Sequence, residues 1–266
     1  LKAPTPAAIL FSLVGLVAGP APADVVIEID KCRQVAEGRA EIIDFEGKTA
    51  RGQEVTLKGL LSKPDGPGPF RGLVILPGAR GLVVPLCYAS IVPGFLDRGF
   101  VTLMVAPRTA RQQDGTRRYQ YNFTDLASYG YAAAAALAAR PDVDASRIGV
   151  WGHSNGGTAA IDVATWPAGP ADTFRAVVAA APTCPSQGKP PAIPLLVMIS
   201  DKDPWTSADW CTDYAAKLVG VGTFEFQLLL GADHAYWAAP GYEAPAAKLA
   251  EERLTAFFAK YLPATR

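Results

Sequence analysis

The sequence predicts one α/β domain built on a doubly wound, mostly parallel sheet with helices on both faces. Short apolar runs of β character alternate with helix-compatible segments along most of the 266 residues. One such run turns sharply into an alanine-rich segment through Gly152-His153-Ser154-Asn155-Gly156, a strand–turn–helix with serine at its apex. Further along, an acidic residue and then a histidine follow apolar runs, where the strands of an open α/β sheet present their reactive groups.

Composition narrows the function classes. Half of the residues are hydrophobic, enough to fill a sizeable core. Lys+Arg and Asp+Glu balance at 25 each, which leaves no electrostatic case for nucleic acid or an anionic membrane as partner. With two histidines, and no pair of cysteines at C-x-x-C spacing, neither a metal centre nor a cofactor is expected.

Taking the chain in order, residues 7–19 form an apolar stretch behind Lys2, too short to span a bilayer comfortably. Ala21-Pro22-Ala23 follows, a small-residue cleavage pattern. The reading is a secretory signal peptide over 1–23 and a mature domain over 24–266, exported to the periplasm or medium, with no stable membrane insertion after cleavage.

Val25-Val26-Ile27-Glu28-Ile29 and Glu41-Ile42-Ile43-Asp44-Phe45 mix charge with β-branched residues and predict edge strands; Val55 to Leu61 alternates and predicts a third. Gly72-Leu73-Val74-Ile75-Leu76 is apolar throughout, as a central strand covered on both faces must be, and ends in Pro77-Gly78-Ala79-Arg80-Gly81. A helix is expected over 89–98, a strand over 100–105, and a long polar loop over 108–124. Helical composition returns over 125–140, before the strand that enters the elbow. Strands are then predicted at 174–180, 194–200 and 223–229, with helices at 208–218 and 244–261. No repeat or linker divides the chain.

The elbow carries the chemistry. Side chains two residues either side of its serine would strike the neighbouring strand and helix, and Gly152 and Gly156 remove that collision. A serine hydroxyl still needs a base to take its proton, and the base needs a carboxylate to orient it. His153 is inside the elbow, where its backbone position is expected to turn it away from the nucleophile's partner. His234, in Gly231-Ala232-Asp233-His234-Ala235-Tyr236 after the last predicted strand, is the expected base. Of the two acids in Ser200-Asp201-Lys202-Asp203, Asp203 is better placed to reach it, leaving Asp201 as a turn former. The amides of Asn155, at the helix start, and of Ala79, in the loop after the central strand, are the expected oxyanion donors.

Other residues invite roles around that site. Trp205, Tyr236, Trp237, Tyr121 and Phe123 are candidates to line an apolar pocket. Arg108, Arg111, Arg117 and Arg118 cluster in the polar loop, either as a solvated stretch or with one or more facing the site to favour substrates bearing a carboxylate. Four cysteines in an exported chain permit two disulfides in three connectivities. Cys184 follows one strand and Cys211 opens the helix after the next; successive strands are usually neighbours, so these two are expected to bridge beside Asp203. Cys32 and Cys87 are then the remaining pair.

In Gly152-His153-Ser154-Asn155-Gly156-Gly157, in Pro194-Leu195-Leu196-Val197 leading to Asp201-Lys202-Asp203, and in Gly231-Ala232-Asp233-His234-Ala235, the chain resembles the α/β-hydrolase fold and, within it, the dienelactone hydrolase-like group. Arg140-Pro141-Asp142-Val143-Asp144 is similar as well, and the resemblance runs from about Val55 to the C-terminus. It implies Ser154 as nucleophile, Asp203 as acid and His234 as base. Two departures stand out. The enzyme that names the family has cysteine where this chain has Ser154, and its usual His-Gly at the oxyanion loop is Pro77-Gly78 here. Both favour a general carboxylic ester hydrolase acting on a small-molecule ester. A peptidase or acyltransferase on the same fold is the second reading, since fold and triad do not fix the acyl acceptor. A non-catalytic binding protein is the third, and a missing triad member would favour it.

Overall fold

The apolar runs become the strands of one eight-stranded sheet. The computed structural model describes residues 40–82, 92–116, 120–167, 169–170, 172–236 and 245–264. In chain order the elements are β1 (Ala40–Lys48), β2 (Glu54–Ser62), β3 (Phe70–Leu76), α1 (Val92–Asp97), β4 (Phe100–Gln112), α2 (Phe123–Ala138), β5 (Val143–His153), α3 (Asn155–Thr165), β6 (Ala176–Ala180), β7 (Leu195–Ser200), α4 (Ala208–Ala216), β8 (Phe224–Leu229) and α5 (Pro245–Tyr261). The edge strand expected at 25–29, the signal segment, Cys32 and Cys87 lie outside the described residues.

Strand order is β1-β2-β4-β3-β5-β6-β7-β8. β1 and β2 form an antiparallel hairpin added to one side, and β2 runs antiparallel to β4. From β4 across to β8 every neighbour is parallel. The chain leaves β3 on one side for β4 and returns on the other as β5. Connections therefore diverge at the carboxyl ends of β3 and β5, and that divergence opens a crevice where such sheets hold their ligands.

Burial follows strand position. β6 and β7 are buried at every residue, whereas β1 alternates and keeps its polar side chains outward. Helices cover both faces. On one, α2 begins at an Asn122 cap whose side chain accepts from the Asp125 amide at 2.7 Å, and its Leu137 packs over Gly72 of β3. On the other, Phe95 of α1, Phe100 of β4 and Phe258 of α5 meet with ring centroids 5.7–6.0 Å apart.

The polar loop expected from residue 108 starts later than predicted. β4 continues to Gln112, because Thr56 of β2 pairs with Arg111 while Lys58 pairs with Ala106. Residues 107–110 therefore face Leu57 alone, held as a bulge by the Thr109 hydroxyl, which accepts from the Lys58 amide and donates to the Ala106 carbonyl. Local polarity hides this, since only the partner strand supplies the pairing.

Candidate active site

The elbow is built by backbone contacts that admit no side chain. Ser154 sits at φ 56°, ψ −120°, between β5 and α3, in a region a non-glycine residue seldom occupies. A Cβ on Gly152 would lie 2.0 Å from the Gly156 carbonyl oxygen, and one on Gly156 would lie 2.0 Å from that of Leu76 at the end of β3. A third glycine, Gly157, has the Ala180 oxygen of β6 in the same position at 2.6 Å. The Ser154 amide donates to the Ala180 carbonyl at 2.9 Å, so the serine is fixed against β6 while α3 starts one residue later. Ala181, just past β6, also has a positive φ of 47°, so the described non-glycine residues with left-handed backbone both sit at this sheet edge.

The predicted acid and base are in direct contact. Asp203 Oδ2 lies 2.6 Å from His234 Nδ1, with both side chains almost wholly enclosed. Burial works against ionising Asp203. The Thr206 hydroxyl, the amides of Thr206 and Trp205, and His234 outweigh it and hold the carboxyl below its ordinary value. Asp201 instead accepts from the Gly231 amide at 2.7 Å, tying the loops after β7 and β8 together. The Ser200 hydroxyl, fully buried, donates to the Asp233 carbonyl at 2.6 Å and so anchors the turn that carries His234.

His153 is a correction. Sequence reasoning turned it away from the base, yet its ring lies 4.7 Å, centroid to centroid, from that of His234. The strand period explains this. Gly152 faces α3, so the next residue faces the opposite side of the sheet, where the loop after β8 folds over. Burial, reinforced by the nearby His234, pushes the His153 imidazole well below its usual range, so it stays neutral beside His234.

The loop after β3 faces the elbow from the other side. A Cβ on Gly78 would come 3.3 Å from Ser154 Cβ. The Tyr121 hydroxyl donates to the Gly78 carbonyl at 3.0 Å, and Arg108 donates to the Ala79 carbonyl at 3.2 Å from the bulge in β4. These bonds engage the carbonyl side of the loop. Among the described residues, the Ala79 and Asn155 amides donate to no protein acceptor. For Asn155 this is inherent, since it is the first residue of α3 and its N–H has no intrahelical partner. No hydrogen bond joins the Ser154 hydroxyl to His234 among the described residues, and such contacts commonly tighten only with substrate in place.

The remaining candidates separate clearly. Arg108 reaches the loop after β3, Arg111 lies opposite Thr56 in the β2–β4 pairing, and Arg117 and Arg118 lie outside the described residues. Trp205 meets the His234 ring edge-on, with ring centroids 4.8 Å apart, and is 74% exposed. Tyr236 is buried; burial, with the Asp203 charge added, raises its hydroxyl above the ordinary tyrosine value. Trp237 lies outside the described residues. The expected Cys184–Cys211 bridge is present, with Cα atoms 5.0 Å apart, joining the segment after β6 to α4. Sequence reasoning missed Thr206, whose hydroxyl and amide both serve Asp203. The local signal was there, in the Asp-x-x-Thr spacing of an Asx turn.

Comparison with known proteins agrees with this architecture. The model of the dienelactone hydrolase family matches residues 57–262. A thiohydrolase, apmlB of Arthrinium phaeospermum, is 32% identical over 124 residues, which are 47% of this chain but only 38% of the relative's own length. A putative dienelactone hydrolase from Klebsiella pneumoniae has the same fold at TM-score 0.63 and 16% identity, over 83% of this chain and all of that one. The esterase Pf2001 of Pyrococcus furiosus superposes at TM-score 0.63 and 15% identity, over 93% of this chain and 98% of its own. With its family model matched from β2 to the end of α5 and its sheet wound as an α/β hydrolase, the chain belongs to the dienelactone hydrolase family of hydrolases.

Proposed function

We propose that this protein cleaves carboxylic esters as a serine hydrolase, through an acyl-enzyme intermediate. The 2.6 Å contact of Asp203 with His234 Nδ1, at the sheet edge where Ser154 is held in its elbow, carries the reading. With Nδ1 bonded to the carboxylate, Nε2 is the nitrogen left to exchange protons. His234 takes the Ser154 proton as Oγ attacks the ester carbonyl. The amides of Ala79 and Asn155 receive the developing oxyanion at the positive end of α3. The intermediate collapses as His234 protonates the departing alkoxide. Water, deprotonated by the same imidazole, then attacks the acyl carbon and releases the carboxylic acid and the Ser154 hydroxyl. Asp203 remains ionised throughout.

The substrate is a small-molecule ester, with no nucleic-acid partner. We propose that the protein is exported: the apolar segment and small-residue pattern over residues 7–23 favour it, and so does the Cys184–Cys211 bridge, since such bridges persist in oxidising compartments. Among the described residues, no helix is long and apolar enough to cross a membrane.

Reaction with a fluorophosphonate probe, peptide mapping and a panel of p-nitrophenyl esters test the reading. The probe should tag Ser154, and Ser154→Ala should neither label nor hydrolyse while keeping the wild-type circular dichroism spectrum. Full activity in the untagged variant would overturn it.

A further inference from the structure

We infer that the indole of Trp205 is the binding platform for the leaving-group side of the ester, and that the group it selects is planar and aromatic. This rests on the triad proposed above. Trp205 is among the most exposed large apolar residues described, at 74%, although it lies one ring away from the buried His234. Trp166, another exposed indole, has the Lys189 ammonium over its ring, whereas the ring contact of Trp205 is with the base.

Its backbone is fixed. The Trp205 amide donates to Asp203 Oδ1 at 2.9 Å, Thr206 closes the same turn at 2.9 Å, and the Cys184–Cys211 bridge holds the following helix. An exposed tryptophan on a rigid turn offers apolar area at little further ordering cost to whatever lands on it.

The chemistry tells which part of the substrate lands there. His234 must hand its proton to the leaving oxygen, so that oxygen lies within hydrogen-bond reach of Nε2. The carbonyl oxygen lies on the other side, at the Ala79 and Asn155 amides. The group carried by the leaving oxygen therefore projects past the imidazole, and the Trp205 ring is 4.8 Å from that imidazole. An indole face rewards a planar π-system over an aliphatic ring of equal size, since aromatic pairs gain beyond their buried area.

Benzyl acetate and cyclohexylmethyl acetate test this, because they share an acyl group and their leaving alcohols are nearly alike in size and acidity. The wild type should favour the benzyl ester in kcat/KM. Trp205→Ala should lose about 10-fold on benzyl acetate, mostly in KM, and under about threefold on the cyclohexylmethyl ester. Trp205→Phe should recover most of the loss. Single-turnover deacylation of the acetyl-enzyme should be unchanged in Trp205→Ala, because the leaving group has already gone. Equal losses on both esters would overturn the inference. So would a matching fall in deacylation, which marks a merely structural support of His234. Fluorophosphonate tagging of Ser154 in the same variant separates the two failures: a tagged enzyme with no leaving-group selectivity sinks only the Trp205 assignment, and an untagged Ser154 in the wild type sinks the triad.

Discussion

The proposed nucleophile and its proposed base are held in place by two different kinds of structure. Ser154 is held by backbone: Gly152, Gly156 and Gly157 let three main-chain segments approach closer than any Cβ allows, and the strain at Ser154 is fixed by its bond to Ala180. His234 and Asp203 are held by side chains: Thr206 on Asp203, Ser200 on the Asp233 carbonyl, Asp201 on the Gly231 amide, and the disulfide behind them. The first arrangement draws its glycines from one short stretch, packs them against the ends of β3 and β6, and involves no titratable side chain. The second is spread over residues 184–234, can be loosened one contact at a time and depends on ionisation.

The largest expected effect breaks the first arrangement. Gly156→Ala puts a methyl 2.0 Å from the Leu76 oxygen, where only backbone movement of β3 or α3 relieves it. A stability loss above about 4 kcal/mol is expected, measured by urea denaturation, or outright failure to fold. A stable, active Gly156→Ala protein would show that the elbow is less constrained than its contacts imply.

The second arrangement should yield in function first. Asp203→Asn leaves the shape intact but offers His234 a donor in place of an acceptor, which favours the wrong imidazole tautomer. By analogy with serine proteases, kcat should fall on the order of 10⁴-fold. Asp201→Asn, which loses only a charge on the Gly231 amide, should cost far less. Stability offers a second readout. The Asp203 value is lowered on folding, so its contribution is present above the ordinary carboxylate value and is lost as pH falls through the lowered one. The wild type should therefore lose part of its stability below about pH 4, and Asp203→Asn should lose less over the same interval. Reversed effects of the two asparagines on kcat would move the acid to Asp201.

The smallest expected effect is on the bridge. Replacing Cys184 and Cys211 together by alanine releases a loop with a sequence separation of 27. Loop entropy alone gives a loss of about 3–4 kcal/mol. Activity in the folded fraction should stay within a few-fold of wild type, because Thr206 and Trp205 still hold Asp203. A loss of activity as large as that of Asp203→Asn would mean that the bridge, not the turn, sets the acid.

By itself the sequence determined the sheet class and the elbow, and it singled out Ser154, Asp203 and His234 as the candidates for nucleophile, acid and base. Each depends on short-range information: apolar runs of strand length, glycines two residues either side of a serine, and polar residues just past strand ends. It also allowed the Cys184–Cys211 pair to be expected from strand adjacency. Tertiary structure decided the rest. β4 runs on to Gln112 because β2 supplies its partners, so Arg108 arrives on a bulge beside Ala79 rather than on a free loop. His153 meets His234 because strand parity sends it to the face over which a loop some eighty residues later folds. Of the aromatic pocket candidates, Tyr236 is buried, whereas Trp205 stays in the open at the edge of the His234 ring. These outcomes depend on which distant segments share a sheet edge, and no local window of sequence contains that information.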